Sequence, residues 1–295
     1  MVRELVQWFR INFSLNSSNM ERICIIIIFF NPTNAQIDRA KVLSKGKHVI
    51  VVDNSNGELC VFEGAENVTY IPLHQNMGIA HAQNVGISKA QELKAEYVVF
   101  LDQDSKLTDV DIDKLQEVFV KVRQADSQAI AIGPLIINSD TNKEYKTTRG
   151  QGASFVVDSI ISSGSLVKVS MFSVVGIMEE LLFIDLVDHE WCWRCASHGY
   201  HIYMTREVVL NHKVGNKSYN LGGIQIIASA PFRYYYKYRN ALILMRRAYV
   251  PRNWKLKTML RMVFEYIFFL FTCLFVKENM SRLGYASKGL KDGIL

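Results

Sequence analysis

Residues 23–30 read Ile-Cys-Ile-Ile-Ile-Ile-Phe-Phe, an unbroken apolar run with five isoleucines that stops at Asn31-Pro32. A short β-branched run with no polar residue at either parity reads as a strand buried on both faces. Such a strand needs helices above and below it, which commits this part of the chain to an α/β layer architecture. The following residues keep to that plan. Thr33-Asn34 can cap a helix reaching about residue 44, and 48–52 form a second buried strand ended by the turn cluster Asp53-Asn54-Ser55-Asn56-Gly57. The pattern predicts a third strand at 68–73, a helix at 79–93 with Gly78 at its start, and a fourth strand at 97–101 that runs into Asp102-Gln103-Asp104-Ser105. Strands alternating with helices at this spacing predict a parallel sheet. Ligands of such sheets sit at the carboxyl ends of the strands, where Asn31, Asp53, Asp102 and Asp104 all fall.

The chain has 295 residues, 49% hydrophobic and 21% charged, enough to bury a core without disulfides or metals and unlike a disordered or fibrous composition. Five cysteines are an odd number and make no disulfide framework. Cys192-x-x-Cys195, with no second pair, is expected to be two packed thiols. The first ten residues carry Arg3, Glu4 and Arg10 and no long apolar run, so no signal peptide is expected and the reducing cytoplasm is the expected compartment. A net charge of +6 is unevenly spread: residues 213–264 hold eleven Lys and Arg and no acid, so the remainder is net acidic. Beyond residue 105 the pattern predicts a helix at 109–122, strands at 130–137 and 154–157, and a turn then a helix within 179–197. The division expected is an amphipathic lead-in at 1–20, a catalytic domain at 21–230 with halves at 21–105 and 106–230, and a basic, aromatic and apolar helical tail at 231–295.

Several clusters can carry chemistry. In an extended segment Asp102 and Asp104 point to the same side. Two carboxylates so placed can hold a hard divalent cation, which in turn can neutralise a departing diphosphate. The plain alternative is a solvated acidic turn, and position at a strand end favours the metal. Asp53 could accept a hydrogen bond from a base or a ribose hydroxyl, or simply open its turn. Asn76-x-Gly78 and Asn84-x-Gly86 bracket a helix start, where glycine admits close backbone approach and the helix N-terminus favours anions, or where the residues only cap the helix. Asp185, Asp188, His189 and Glu190 gather four titratable groups in six residues, suited to taking a proton from an alcohol or to an acidic helix start. The neutral imidazole of His212 is a plausible extra metal ligand or a structural histidine.

Taken in order, Asn31-Pro32, Val51-Val52-Asp53-Asn54, Asn76-x-Gly78-x-Ala80-x-x-Gln83-Asn84-x-Gly86 and Phe100-Leu101-Asp102-Gln103-Asp104-Ser105 resemble the nucleotide-binding half of family-2 glycosyltransferases of GT-A fold. The Asp-Gln-Asp-Ser form resembles the bacterial rhamnosyltransferases of O-antigen and related polysaccharides. The likeness continues through Ser163-Gly164, the run from Phe183 to Arg194, His212-x-x-Gly215 and Tyr234-Tyr235-Tyr236-x-x-Arg239-Asn240, and covers about residues 22–245. It implies roles by position. Asn31, Asp53, Asn76, Gly78, Asn84 and Asp102 would bind the donor nucleotide; Asp102, Asp104 and His212 would hold Mg²⁺ or Mn²⁺. Asp188 would be the catalytic base. Many members have Glu-Asp where this chain has Val187-Asp188, so Asp185 and Glu190 also stand as candidates, and Ser163, Gly164, Asp185, Glu190 and Arg194 would line the acceptor side. The resemblance implies inverting transfer of a sugar from a nucleotide donor, dTDP-rhamnose above all, to a polyprenyl-diphosphate-linked glycan. Alternatives are a galactofuranosyl or other hexosyl transferase using a UDP-sugar, and an inactive membrane-bound scaffold.

The tail mixes cations with aromatic residues at 234–239 and 254–257, which suits nucleic acid stacking or a membrane headgroup layer. Residues 262–276 are apolar apart from Glu265, shorter than the about 20 residues a membrane span needs. A basic segment followed by a short apolar one predicts a helix lying on an anionic bilayer, with an ordinary core or dimer helix as the alternative; the resemblance implies that this bilayer is the bacterial inner membrane, met at its cytoplasmic face, and no nucleic acid partner is expected. Deleting residues 250–295 is expected to free the chain from the membrane, with donor hydrolysis retained if the catalytic domain still folds.

Overall fold

In a computed structural model, alternate residues of the isoleucine run face opposite sides of a central sheet, as the geometry of a strand dictates. Cys24, Ile26 and Ile28 enter one hydrophobic core; Ile23, Ile25, Ile27 and Phe29 enter another. The structure describes residues 22–58, 62, 65–138, 143–144, 150–212, 217–221 and 224–294. The lead-in expected at 1–20, Cys60 and the segment around Gly215 lie outside them.

The first half is β1 (Ile23–Phe29), α1 (Asn34–Leu43), β2 (His48–Asp53), β3 (Val68–Pro72), α2 (Ile79–Glu92) and β4 (Tyr97–Asp102). Each element lies within two residues of its expected bounds. Thr33 caps α1 in a capping box with Gln36, as its side chain permits. The strands lie in the order β3-β2-β1-β4, all parallel. The chain therefore adds strands to one side of β1 and then returns to its other side, which places a topological switch point between β1 and β4. Phe29 pairs with Asp53 and Ile28 with Asp102, so the carboxyl ends of β1, β2 and β4 form one edge. α2 packs close on β1: a Cβ on Gly86 would lie 2.6 Å from the Ile26 Cγ2 methyl.

The second half contains α3 (Asp109–Ala125), β5 (Ala129–Asn138), β6 (Lys143–Glu144), β7 (Ser154–Val157), β8 (Leu166–Lys168), α4 (Met171–Val174), a 3-10 turn (Glu180–Leu182), α5 (Val187–Ser197) and β9 (His201–His212). These strands extend the sheet in the order β4-β8-β5-β9-β7, with β6 pairing β5. β8 runs antiparallel to both its neighbours. β10 (Lys217–Leu221) and β11 (Ile224–Ala228) form a separate hairpin.

The chain closes with α6 (Arg233–Met245), α7 (Arg252–Thr272) and α8 (Lys277–Ile294). Tyr234, Tyr238, Ala241, Met262, Phe269 and Ala286 form their common core. The aromatic stretch at 234–239 is thus interior packing rather than a stacking platform for nucleic acid or lipid. Its cations turn inward too: Arg233 bonds Asp185, Lys237 bonds the Ser229 hydroxyl at 2.7 Å, and Arg239 reaches the Leu181 carbonyl. The expected boundary at 230 and 231 therefore does not detach a tail, because α6 grips the loop that precedes α5.

Candidate active site

Gln103 splints the switch point. Its side-chain carbonyl accepts from the Phe30 backbone N–H at 2.8 Å, and its amide donates to the Phe30 carbonyl at 3.4 Å. Asp102 and Asp104 flank this splint, Asp102 half-buried at the end of β4 and Asp104 exposed. Asn31 is exposed in the left-handed region at φ 49°, its N–H donating to the Ser55 hydroxyl at 2.7 Å. Asp53 is fully buried. Its two oxygens accept from the Tyr70 hydroxyl at 2.7 Å and the Ser55 N–H at 3.0 Å. The carboxylate expected to contact the donor is thus engaged by the protein itself at the carboxyl end of β2.

The glycine and asparagine pairs around α2 also prove architectural. Asn76 accepts from the Asn54 amide and the Gly78 N–H, both at 3.0 Å, and so shapes the turn into the helix. The first helical donors, on Ile79 and Ala80, point at the Phe183 carbonyl at 2.7 and 3.4 Å. A protein carbonyl thus occupies the anion position expected there. Gly78, at φ 87°, is required by this contact, since a Cβ would lie 2.6 Å from the Phe183 ring. Asn84 is buried and pins the segment before α5, donating to the Met178 carbonyl at 3.0 Å and to Glu180 at 2.8 Å while accepting from the Met178 N–H.

A serine-rich loop brings the two halves together. Ser163 is buried, and its hydroxyl accepts from the Asp102 N–H at 3.3 Å. The adjacent Ser162 N–H donates to Asp188 at 3.2 Å, and the Ser159 hydroxyl bonds the His189 ring at 2.7 Å. Gly164, at φ 82°, fits closely between Leu107 and Pro134 while its N–H donates to the Phe100 carbonyl at 2.7 Å. Ser163 and Gly164, expected on the acceptor side, lock the end of β4. Consecutive serines therefore hold the residues expected to be metal ligand and base.

Three carboxylates competed for the role of base, and their partners separate them. Glu190 is 1% exposed, bonded by two nitrogens of Arg194 at 2.8 Å each and by the Tyr249 hydroxyl at 2.7 Å. Arg194 spends its other donors on the Val175 and Ile177 carbonyls. That pair is a buried brace, not an acceptor surface. Asp185 is held by the Arg233 guanidinium on both oxygens. Asp188, half-exposed in the first turn of α5, accepts from the backbone N–H groups of Ser162 and His189, the latter at 2.9 Å. Burial alone would lower the Arg233 pKa; the bonded Asp185, with the further charges of Asp102 and Asp188, holds it above its ordinary value. Arg233 is thus a cation among the three aspartates, a residue that sequence reasoning had counted only as part of a basic tail.

The backbone before α5 is strained. Phe183 adopts φ 62°, ψ −63°, and Ile184 N–H donates to the Leu182 carbonyl at 2.6 Å, which closes a γ-turn of the rarer hand. Asp185 and Leu186 are also left-handed, at φ 66° and 70°. Such residues cost on the order of 1–3 kcal/mol each and persist only where the surroundings hold them. Asn240 of α6, fully buried, does the holding: its amide faces the carbonyls of Leu182, Ile184 and Asp185 at 2.8, 2.8 and 3.0 Å. Arg239 fixes the amide from behind by donating to its oxygen, and the Tyr236 ring stacks on Phe183 at 4.9 Å. The quoted Tyr-Tyr-Tyr-x-x-Arg-Asn motif contained these residues without revealing what they do.

Among the described residues, no three His, Cys, Asp or Glu side chains assemble a complete metal site. The side chain of His212 lies outside the described set, although its backbone ends β9 opposite Asn138. Asp102 and Asp104 nevertheless supply the oxygen donors that a hard divalent cation prefers, and the diphosphate of a nucleotide sugar would add more. Cys192 and Cys195 are buried free thiols, pushed up by burial, consistent with packing alone.

This geometry matches known proteins. The family model for glycosyl transferase family 2 matches residues 24–165. The chain is 33% identical over 296 residues to the dTDP-rhamnosyl transferase RfbF of Shigella flexneri, covering 92% of this chain and 95% of that protein. Among solved structures it is similar to S. aureus TarS, with TM-score 0.54, 13% identity and coverage of 81% of this chain and 42% of that one. It is also similar to GalNAc-T7 crystallised with UDP, GalNAc and Mn²⁺, with TM-score 0.50, 14% identity and coverage of 80% and 53%. The chain spans about half the length of those two structures, and the likeness to them is one of GT-A fold. With the relationship to RfbF running nearly end to end, the carboxylates at the β4 edge and at the start of α5 belong to a family 2 glycosyltransferase.

Proposed function

We propose that this chain transfers rhamnose from dTDP-rhamnose, with inversion, to a lipid-linked glycan during bacterial surface polysaccharide synthesis at the cytoplasmic face of the inner membrane. The observation that carries the chemistry is the pair of adjacent serines, on one loop, that bond Asp102 and Asp188, with Arg233 bound to the neighbouring Asp185. The end-to-end relationship to a dTDP-rhamnosyl transferase supports the sugar.

Asp188 would accept the proton of the acceptor hydroxyl as that oxygen bonds to the anomeric carbon of the donor. The bond from that carbon to the diphosphate breaks on the opposite face, which inverts the centre. Asp102 and Asp104 would hold Mg²⁺ or Mn²⁺, which when bound supplies countercharge to the departing diphosphate. Arg233, tied to Asp185, keeps a positive charge beside these carboxylates and limits their mutual repulsion. Asn31 and the splint of Gln103 shape the mouth of the nucleotide cleft.

The test is incubation with a panel of nucleotide sugars and each metal, reading release of nucleotide diphosphate. Release is expected with dTDP-rhamnose, abolished by excess chelator, restored by Mg²⁺ or Mn²⁺, and largely lost in a folded Asp104→Asn variant. Release from a UDP-hexose alone would replace the donor with the galactofuranosyl or hexosyl reading. Undiminished turnover in chelator would remove the metal.

A further inference from the structure

One face of α7 is apolar and uncovered. Leu256, Leu260, Val263, Ile267, Leu270 and, just past the helix end, Leu274 are each between 46% and 81% exposed, at successive spacings of four and three residues. Phe271 and Phe275 beside them are 72% and 86% exposed. The opposite face is committed to the protein. Thr258, Met262 and Phe269 are buried there, Tyr234 packs edge-on against Phe269 at 4.9 Å, and the Tyr238 hydroxyl donates to the Met262 carbonyl at 2.8 Å. At its start, Trp254 packs on Trp193 of α5 at 4.7 Å. α7 is therefore anchored along its length. Among the described residues no helix is long and apolar enough to cross a membrane.

A continuous apolar stripe of this size marks a binding surface. Its spacing would suit a second copy of the same helix, but its charges would not. Arg252, Lys257 and Arg261 are exposed around the stripe, and the one acid of α7, Glu265, interacts with Arg261 and with Lys237 of α6. Two such faces packed in parallel would set cations against cations. Packed antiparallel, each basic end would lie against an apolar end with nothing to neutralise it. An anionic lipid surface offers what both arrangements lack: acyl chains for the stripe and negative headgroups for its rim.

We propose that this face of α7 lies in the headgroup layer of an anionic bilayer and is the surface by which the protein docks. This rests on the membrane setting of the proposed function but not on its chemistry. Because α7 is packed on α6 and α5, docking would fix the orientation of the sugar-transfer site relative to the lipid.

Flotation of the full chain with vesicles decides it, using phosphatidylcholine alone or mixed equally with phosphatidylglycerol. The chain is expected to float with the mixed vesicles at low salt and weakly with phosphatidylcholine. Leu260→Glu combined with Ile267→Glu, both exposed and so compatible with folding, should abolish flotation while leaving the circular dichroism spectrum and melting temperature unchanged. Arg252→Gln combined with Lys257→Gln should weaken binding about thirtyfold at low salt and flatten its salt dependence, at about fivefold per cation. The proposal is overturned if the intact chain ignores mixed vesicles, or if the Leu260→Glu, Ile267→Glu variant floats as well as the intact chain. It is also overturned if sedimentation shows a dimer that this variant splits and no vesicle binding. A chain that floats but leaves dTDP-rhamnose intact would refute the sugar alone; one that consumes dTDP-rhamnose but never floats would refute the docking alone.

Discussion

Asp188 occupies the first turn of α5 and is half-exposed there. It takes hydrogen bonds from the main chain and, among the described residues, no cation is bonded to it, unlike Asp185 and Glu190. A base must be reachable and must be able to gain a proton, and these surroundings leave both open. Asp188→Asn is expected to lower turnover by about 10²- to 10⁴-fold, with donor affinity measured by calorimetry nearly unchanged. A greater loss from Asp185→Asn would transfer the role to that residue. Asn240 braces the loop that leads into Asp188, the base of the proposed reaction. Asn240→Asp keeps the size and the oxygen facing Arg239 but turns three carbonyl-facing donor contacts into repulsions. Relaxation of the loop is expected to cost about 10²-fold in kcat, the scale of a small misplacement at a reacting centre, with the KM for donor little changed. A melting temperature and circular dichroism spectrum close to those of the parent chain, beside the fall in kcat, distinguish this from simple loss of stability.

At the scale of elements, two glycines of α2 make separable demands. Gly86 lets the helix approach β1, and Gly86→Ala would press on Ile26; overpacking of this kind costs about 1–3 kcal/mol. Its expected effect is a melting temperature lowered by a few degrees with unchanged turnover. Gly78 faces Phe183, so Gly78→Ala should disturb the γ-turn and reduce turnover as well as stability. Differential scanning calorimetry beside steady-state rates checks both, and a Gly78→Ala enzyme with full turnover would disconnect α2 from the loop. The elements differ in how plainly they were written in the chain. β1, β2 and β4 announce themselves because both faces are buried and, apart from His48 and the terminal Asp53 and Asp102, every residue is apolar. β9 does not: its register on β5 slips between Pro134 and Leu135, and Arg206 and Glu207 interrupt its alternation. β8, three residues long, is too short to carry a pattern. For the site, carboxylates at strand ends were legible, whereas the partners that sort them were not. Arg233, Gln103 and the pocket around Asp53 meet their carboxylates or loops only through tertiary folding. The cations and tyrosines of α6 look like surface chemistry in one dimension, yet Tyr234 and Tyr238 are buried and the cations bond neighbouring segments of the fold.

For the whole molecule, the terminal helices are part of the enzyme body. Gly289 of α8 lies so close to the Tyr235 backbone that a side chain would not fit, Gly293 lies close to the Arg239 backbone, and Tyr235 bonds Asp292 at 2.9 Å. Arg282, 2% exposed, reaches the Ser229 carbonyl at 3.4 Å and Asn279 at 2.6 Å, and Arg246 caps the carbonyls of Gly293 and Ile294. A chain ended at residue 276 is therefore expected to accumulate as insoluble or inactive protein, not as a free catalytic domain. Soluble yield and nucleotide release measure this, and an active soluble truncation would show that α6 stands without α8. The grip of Asn240 has a last implication. It reads only main-chain oxygens, so it sets the curve of the loop without regard to which side chains the loop displays. Ile184, half-exposed four positions before Asp188, takes no part through its side chain in that grip. Evolution, or an engineer retuning acceptor choice, can exchange the residue at this position while the scaffold beneath it keeps its form.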